Sequence, residues 1–362
     1  MPPARKKIDA QAVAVTAKHI EIVRSTKPWL SSMSRVSGDA ILEVLYGQYA
    51  EVGVTIVNDL SDLEALVALQ PDLVFLGMKF VPIDSSLGRN GPKIWLADYL
   101  DEYGIAYTGS NQRAHALELD KHLAKQRVLD AGLNTSPFCV INHDQKLSRE
   151  DIGLAFPLFI KPTNRGGGLG IDSDSVANNF DELETKVRSI TANLESDSLV
   201  EEYLPGREFS VAILKYETSR EFAVMPIELI APQDERGLRL LSSNIKASNK
   251  ETAIMVTDQA IKSKVTALAM AVFEALGSRD YGRVDIRFDK TGTPHFLEAN
   301  LIPSLISGYG SFPKACVMNI NLDYEQMILS IVRLGLARQP ILEADIAEHS
   351  LVGGLPVLEA MA

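Results

Sequence analysis

The chain has 362 residues, with 36 Lys+Arg against 47 Asp+Glu and a formal charge of −11. That length exceeds one ordinary domain of roughly 100–200 residues, so two or three units share it, and 46% hydrophobic against 23% charged residues excludes a disordered or fibrous chain. The acidity argues against a nucleic-acid binder, which leaves a basic footprint, and no apolar run approaches the roughly 18–20 residues that cross a bilayer.

In chain order, Ala10 to Ala17 is too short for a signal peptide or anchor and runs into Lys18 and His19. Short apolar runs then alternate with amphipathic stretches, the pattern of a parallel sheet covered by helices. Strands are expected at His19–Val23, Gly53–Val57, Pro71–Gly77 and Ala106–Thr108, and helices at Gly38–Gln48, Asp62–Leu69 and Pro92–Glu102. A helix over Asp120–Asp130 ends at Gly132, as a C-cap requires. Strands follow at Phe138–Ile141, Leu158–Lys161, Leu199–Tyr203, Phe209–Lys215 and Phe222–Glu228, with helices at Phe180–Asn193 and Asp258–Leu276. A hairpin and a helix over Tyr324–Gly335 close the pattern. Cys139 and Cys316 lie far apart without a CxxC, as two reduced thiols of a cytoplasmic protein would, so neither a disulfide nor a zinc site is expected.

Three segments carry chemistry. Phe159-Ile160-Lys161-Pro162 leads into a loop holding Gly166, Gly167, Gly168 and Gly170. Such glycines let backbone N–H groups approach phosphate oxygens, and the lysine adds a point charge; the other reading is a surface turn. In the hairpin Tyr281–Phe288 and Pro294–Asn300, alternation puts Arg283, Asp285 and Arg287 on one face, and Phe296, Glu298 and Asn300 share a face of the second strand. A turn centred near Thr291 sets Asp285 opposite Glu298 and Arg283 opposite Asn300. Two facing carboxylates repel unless a cation lies between them, and with an asparagine carbonyl they form a magnesium-type oxygen set; a solvated ladder of mixed charge is the alternative. The third segment, Leu199 to Val211, runs from an apolar strand through Glu201-Glu202 and a Pro-Gly turn to Glu208. It reads as a charged hairpin or as a connector presenting backbone groups to a base and an acid to a ribose.

Together with Gly109-Ser110-Asn111 and Asp120-Lys121, and with Glu298-Ala299-Asn300-Leu301-Ile302-Pro303, these words in this order resemble the ATP-grasp superfamily, and within it the D-alanine:D-alanine ligase family. The resemblance spans roughly residues 70 to 340. It implies an α/β ATP-grasp fold of three α/β domains with ATP between the central and C-terminal ones: 1–115 for substrate, 116–208 with the glycine flap, 209–340 with the metal site, and a tail at 341–362. It implies that Lys121 and Lys161 hold phosphates, that Gly166 to Gly170 close over them, that Glu201, Glu202, Tyr203 and Leu204 read adenine, and that Glu208 holds the ribose. Asp285, Glu298 and Asn300 match ligands of two Mg²⁺ ions, with Mn²⁺ as a substitute, and Arg283 matches the arginine that stabilises the transition states. Lys246 or Lys250 would reach a phosphate, and Ser304 stands where the family has a glycine.

The N-terminal loops depart from the family. Ser25 to Gly38 contains no acid where a glutamate is usual, and Lys79 and Arg89 occupy loops that normally carry a histidine and acids. With Arg35, these suggest a carboxyl substrate bearing a further negative group, or one without an α-ammonium; solvated surface charges are the other reading. The expected function is an ATP- and Mg²⁺-dependent carboxylate–amine ligase that forms a peptide bond through an acyl phosphate and releases ADP and phosphate. Its expected place is a specialised pathway, with small-molecule substrates, no nucleic acid or membrane partner, and a homodimeric assembly. The alternatives are a cell-wall D-alanine:D-alanine ligase and, from another class, a non-catalytic nucleotide-binding protein.

Overall fold

The computed structural model describes residues 15–84, 91–145, 147–248 and 250–338. β1 (Thr16–Arg24), α1 (Arg35–Leu45), β2 (Tyr49–Ile56), α2 (Leu60–Ala68), β3 (Leu73–Leu76), β4 (Phe80–Pro82), β5 (Lys93–Trp95), α3 (Leu96–Glu102) and β6 (Ala106–Tyr107) form the first unit. Its main sheet has the order β2-β1-β3-β6, with every pairing parallel. β3 lies inside that sheet and reads Leu-Val-Phe-Leu with every residue buried, because helices cover both faces of a parallel sheet. Ser34 and Asp59 start α1 and α2 by accepting from backbone N–H groups that have no intrahelical partner.

The helix expected over Pro92–Glu102 is shorter. Lys93–Trp95 instead pair antiparallel with Phe80–Pro82, and Trp95 packs edge-on against Phe80 at 5.7 Å between ring centres. Helical geometry therefore begins only at Leu96.

α4 (Gln112–Leu119) and α5 (Lys121–Asp130) lead into β7 (Phe138–Ile141), β8 (Leu158–Pro162), β9 (Val176–Ala177), α6 (Phe180–Leu194) and β10 (Ser198–Glu202). The second sheet has the antiparallel order β7-β10-β8-β9. β11 (Glu208–Lys215), β12 (Phe222–Ile230), α7 (Ser243–Ala247), β13 (Thr252–Met255), α8 (Gln259–Ala275), β14 (Tyr281–Phe288), β15 (Pro294–Asn300), α9 (Ser311–Ile320) and α10 (Tyr324–Leu336) follow. The third sheet is antiparallel in the order β13-β12-β11-β14-β15. α4, α7, α9, β4, β9 and β13 are not anticipated by the sequence.

The first and third sheets share a core. Ile20, Ile22 and Phe75 pack in one cluster with Leu214, Met225, Ile227, Phe312 and Met327. Arg338 ties the same two parts by pairing with Asp280 and donating to the Tyr107 carbonyl at 2.8 Å. The second sheet has a cluster of its own around Leu158, Ile160, Leu183 and Val200. α5 buries Ala124 and Val128 with Ile286 and Phe296 of the third sheet.

The expected register across the hairpin holds, with Asp285 opposite Glu298 and Arg283 opposite Asn300. One expectation fails. Ile286 pairs with Phe296, so Leu297 is an extra residue in β15, a bulge that breaks the alternation. Phe296 turns into the apolar core, while Glu298 and Asn300 stay on the face of Asp285 and Arg283.

Candidate active site

Two adjoining cavities meet over β14 and β15. The smaller has apolar walls from Phe159, Ile171, Leu204, Leu240 and Leu297, with Tyr203, Glu208 and Arg287 beside them. The larger, about 620 Å³, falls in the range of small-molecule sites. Lys121, Arg283, Asn300 and Ser304 line one side of it, and Trp29, Phe80 and Lys79 of the first unit line another. Asp285 and Glu298 line both cavities and so stand at their junction.

The two expected lysines reach this junction by different routes. Lys121 is the first residue of α5, where Asp120 caps the helix. Its ammonium donates to the Arg165 carbonyl in the glycine loop and lies 3.8 Å from Glu298. Lys161 is the last residue but one of β8, and its Nζ lies 2.7 Å from Glu201 Oε2. Lys125, one turn after Lys121, pairs with Oε1 of the same glutamate and donates to Thr135 Oγ1 at 2.6 Å. Burial pushes the Glu201 carboxyl up, but the two ammonium groups outweigh it and hold it below the usual carboxylate range. Burial lowers Lys121 and pushes Lys125 down to about 8. Lys125 escaped the sequence reading, yet a signal existed: positions 121, 124, 125 and 128 form the buried stripe of α5, and two of them are lysines.

Arg283 forks onto Asp285, with Nε 3.0 Å from Oδ1 and Nη2 2.8 Å from Oδ2, and Ser210 donates to Oδ1 at 2.8 Å. Burial lowers the arginine, but Asp285 more than compensates and raises it. Among the described residues no three His, Cys, Asp or Glu gather as a metal site. The donor set is therefore two carboxylates and the Asn300 amide, all oxygen donors suited to a hard cation, whose shell phosphate oxygens and water would complete.

The glycine loop has positive φ at Gly167, Gly168 and Gly170. A Cβ on Gly168 would lie 2.8 Å from the Ser243 nitrogen, so only glycine lets the loop close against residues 241–243. Gly166 and Gly167 line the larger cavity and Gly168 the smaller. Glu201, Glu202, Tyr203 and Leu204 all line the smaller cavity, and the Glu201 carboxylate is also held by the two lysines.

Other residues named from the sequence fall elsewhere. Arg35 is exposed on α1, 3.9 Å from Asp39, because its position faces away from the sheet. Lys79 does line the larger cavity, where Glu118 holds its ammonium at 2.7 Å. Lys250 is exposed. Arg89, the tail 341–362 and the Lys246 side chain lie outside the described residues. In the glycine loop, Arg165 lines the larger cavity and donates from Nη2 to the Leu194 carbonyl at 2.5 Å.

The family model described as D-ala D-ala ligase C-terminus matches residues 128–333. The chain belongs to the D-alanine:D-alanine ligase family. It is 30% identical over 273 residues to a D-alanine–D-alanine ligase of Bordetella petrii, covering 75% of this chain and 78% of that protein. It is 28% identical over 252 residues to one of Hydrogenovibrio crunogenus, covering 69% and 75%. It is also 31% identical over 236 residues to an uncharacterised protein of Sinorhizobium fredii, covering 64% and 67%. The solved D-alanine–D-alanine ligase of Bacillus anthracis complexed with ATP superposes with a TM-score of 0.69 at 21% identity, covering 89% of this chain and 98% of that one. The fold is thus the α/β ATP-grasp fold, and this member of the ligase family is an ATP-dependent carboxylate–amine ligase that uses ATP and Mg²⁺. No helix among the described residues is long and apolar enough to cross a membrane.

Proposed function

We propose that this ligase joins two amino acids through an acyl phosphate, with D-alanine first among the candidates for both. The specialised pathway expected from the sequence gains no support from the relatives, several of which are D-alanine–D-alanine ligases; these favour the cell-wall reading. The observation that carries the proposal is the position of Asp285 and Glu298 at the junction of the two cavities, flanked by Lys121 and Arg283.

In this reading the nucleotide lies with its base in the smaller cavity and its phosphates at the junction. The hinge 201–204 meets the base, Glu208 the ribose, and Lys121 and Lys161 the phosphates. The loop Gly166 to Gly170 covers them and excludes water, which would otherwise hydrolyse the acyl phosphate. Asp285, Glu298 and Asn300 would hold Mg²⁺, which would supply positive charge beside the transferred phosphoryl group. Arg283, held flat by Asp285, faces the larger cavity, where its remaining donors can meet the oxyanion formed as the amine attacks. Ser304 remains a candidate on the substrate side, and Lys246 a candidate for reaching a phosphate. Domain limits at 115, 208 and 340, a cytoplasmic location and a homodimer belong to the same reading.

Glu298→Gln is expected to cut amine-dependent ADP release roughly 100-fold or more, the scale of losing one electrostatic stabiliser of the transition state; near-normal release would overturn the site. The substrate reading is checked by supplying ATP, Mg²⁺ and D-alanine and weighing the product. One observation favours a second substrate: the loop over Ser25–Gly38, part of which lines the cavity, has no acid to meet a substrate ammonium, which suits a carboxyl substrate without one. Turnover of such compounds with none of D-alanine would decide for it.

A further inference from the structure

Arg287 is an arginine in the wall of the smaller cavity, and no role above requires it. It is only 8% exposed, and burying a guanidinium is costly unless its donors are satisfied. Two of its partners, Tyr203 and Glu208, line the cavity, and the other two, Gly206 and Arg239, are close in sequence to the lining residues Leu204 and Leu240. Nε donates to the Gly206 carbonyl at 3.2 Å and Nη1 to Glu208 Oε2 at 3.1 Å. Nη2 donates to Tyr203 Oη at 3.3 Å and to the Arg239 carbonyl at 3.1 Å. The guanidinium also lies over the Tyr203 ring, 5.3 Å from its centre. Register explains the meeting, because Arg287 and Glu208 sit directly opposite each other on β14 and β11.

We infer that Arg287 is the positioning residue for nucleotide recognition: it fixes the plane of the Glu208 carboxylate toward the ribose and ties the hinge and the 239–241 segment around the base. The inference rests on the reading that Glu208 holds the ribose hydroxyls. A carboxylate offers about four acceptor positions, so an arginine at one is compatible with a diol at others. A planar fork with several simultaneous acceptors orients that carboxylate in a way a point charge cannot. A brace serving only the fold would affect stability without affecting which nucleotide is preferred.

The test is direct binding of ATP, 2′-deoxy-ATP and 3′-deoxy-ATP to the full chain by calorimetry, with Mg²⁺ present. The wild-type chain is expected to prefer ATP over at least one deoxy analogue by roughly tenfold, the scale of one hydrogen bond to a charged group. Glu208→Gln and Arg287→Met should each bring that ratio close to one, and the double variant should lose no more than either alone. A wild-type-like ratio in Arg287→Met, within twofold, overturns the inference. Absence of preference in the wild type, or an unchanged ratio in Glu208→Gln, instead overturns the ribose assignment and the inference with it. Should the methionine variant not fold, Arg287→Lys is measured in the same way. It keeps a cation beside Glu208 but cannot span the Gly206 and Arg239 carbonyls, and an unchanged ratio in it is equally fatal.

Discussion

Lys125 is fully buried, and three acceptors hold its ammonium: the Glu201 carboxylate, the Thr135 hydroxyl and the Phe296 carbonyl. Its charge keeps Glu201 ionised, and Glu201 in turn fixes Lys161 where the phosphates would lie. Lys125→Met should therefore cost about 3–5 kcal/mol in denaturant unfolding, the range for removing one partner of a buried pair. The pH dependence has a definite sign. The folded Glu201 carboxyl sits below its unfolded value of about 4.3. Its contribution is thus complete above that value and is lost as pH falls through the lower folded one. The stability gap between wild type and Glu201→Gln should narrow as acid is added below about pH 4, and a gap constant down to acid unfolding would contradict the pairing. At this scale the sequence was legible where a residue type was itself the signal, as with Asp285 and Glu298. Arg35 and Lys79 looked alike in sequence, and only the direction each faces separates a surface charge from a cavity wall.

At the scale of elements, the glycine loop divides into open and closed positions. Gly166 has nothing near its would-be Cβ, whereas Gly168 has positive φ and backbone atoms of 241–243 within 3.1 Å. Gly166→Ala should leave ATP binding within a few-fold of normal. Gly168→Ala should lift the loop off 241–243 and weaken ATP binding roughly tenfold or more, combining backbone strain of about 1–3 kcal/mol with the clash; equal effects from both would show that the packing does not matter. Period-two and helical patterns located the long elements because each buries one continuous face. They misplaced Phe296 because a bulge adds a residue without any change in composition. They missed α4, α7 and β13, whose turns of chain are too short or too polar to show a period.

For the whole molecule, the sharing of cores predicts which parts move together. The first and third sheets exchange side chains in one cluster, while the second sheet is packed around its own. Polar links tie it to α5, which packs on the third sheet, the buried Lys125–Glu201 pair among them. Hydrogen exchange should thus show β7, β8 and β10 opening at lower free energy than β1, β3, β11 and β14, and ATP with Mg²⁺ should slow exchange mainly in the former. Uniform protection across all three sheets would refute the division.

The common core of the first and third sheets also limits how substrate preference can be exchanged between relatives. Trp29, Lys79 and Phe80 reach the larger cavity from the first unit, so grafting that unit alone would be the obvious way to transplant specificity. Yet Ile20, Ile22 and Phe75 share one buried cluster with Phe312 and Met327, and a foreign first unit would meet α9 and α10 with mismatched volumes. A working chimera must carry α9 and α10 along with residues 15–107, and the part that can be exchanged alone is the second sheet.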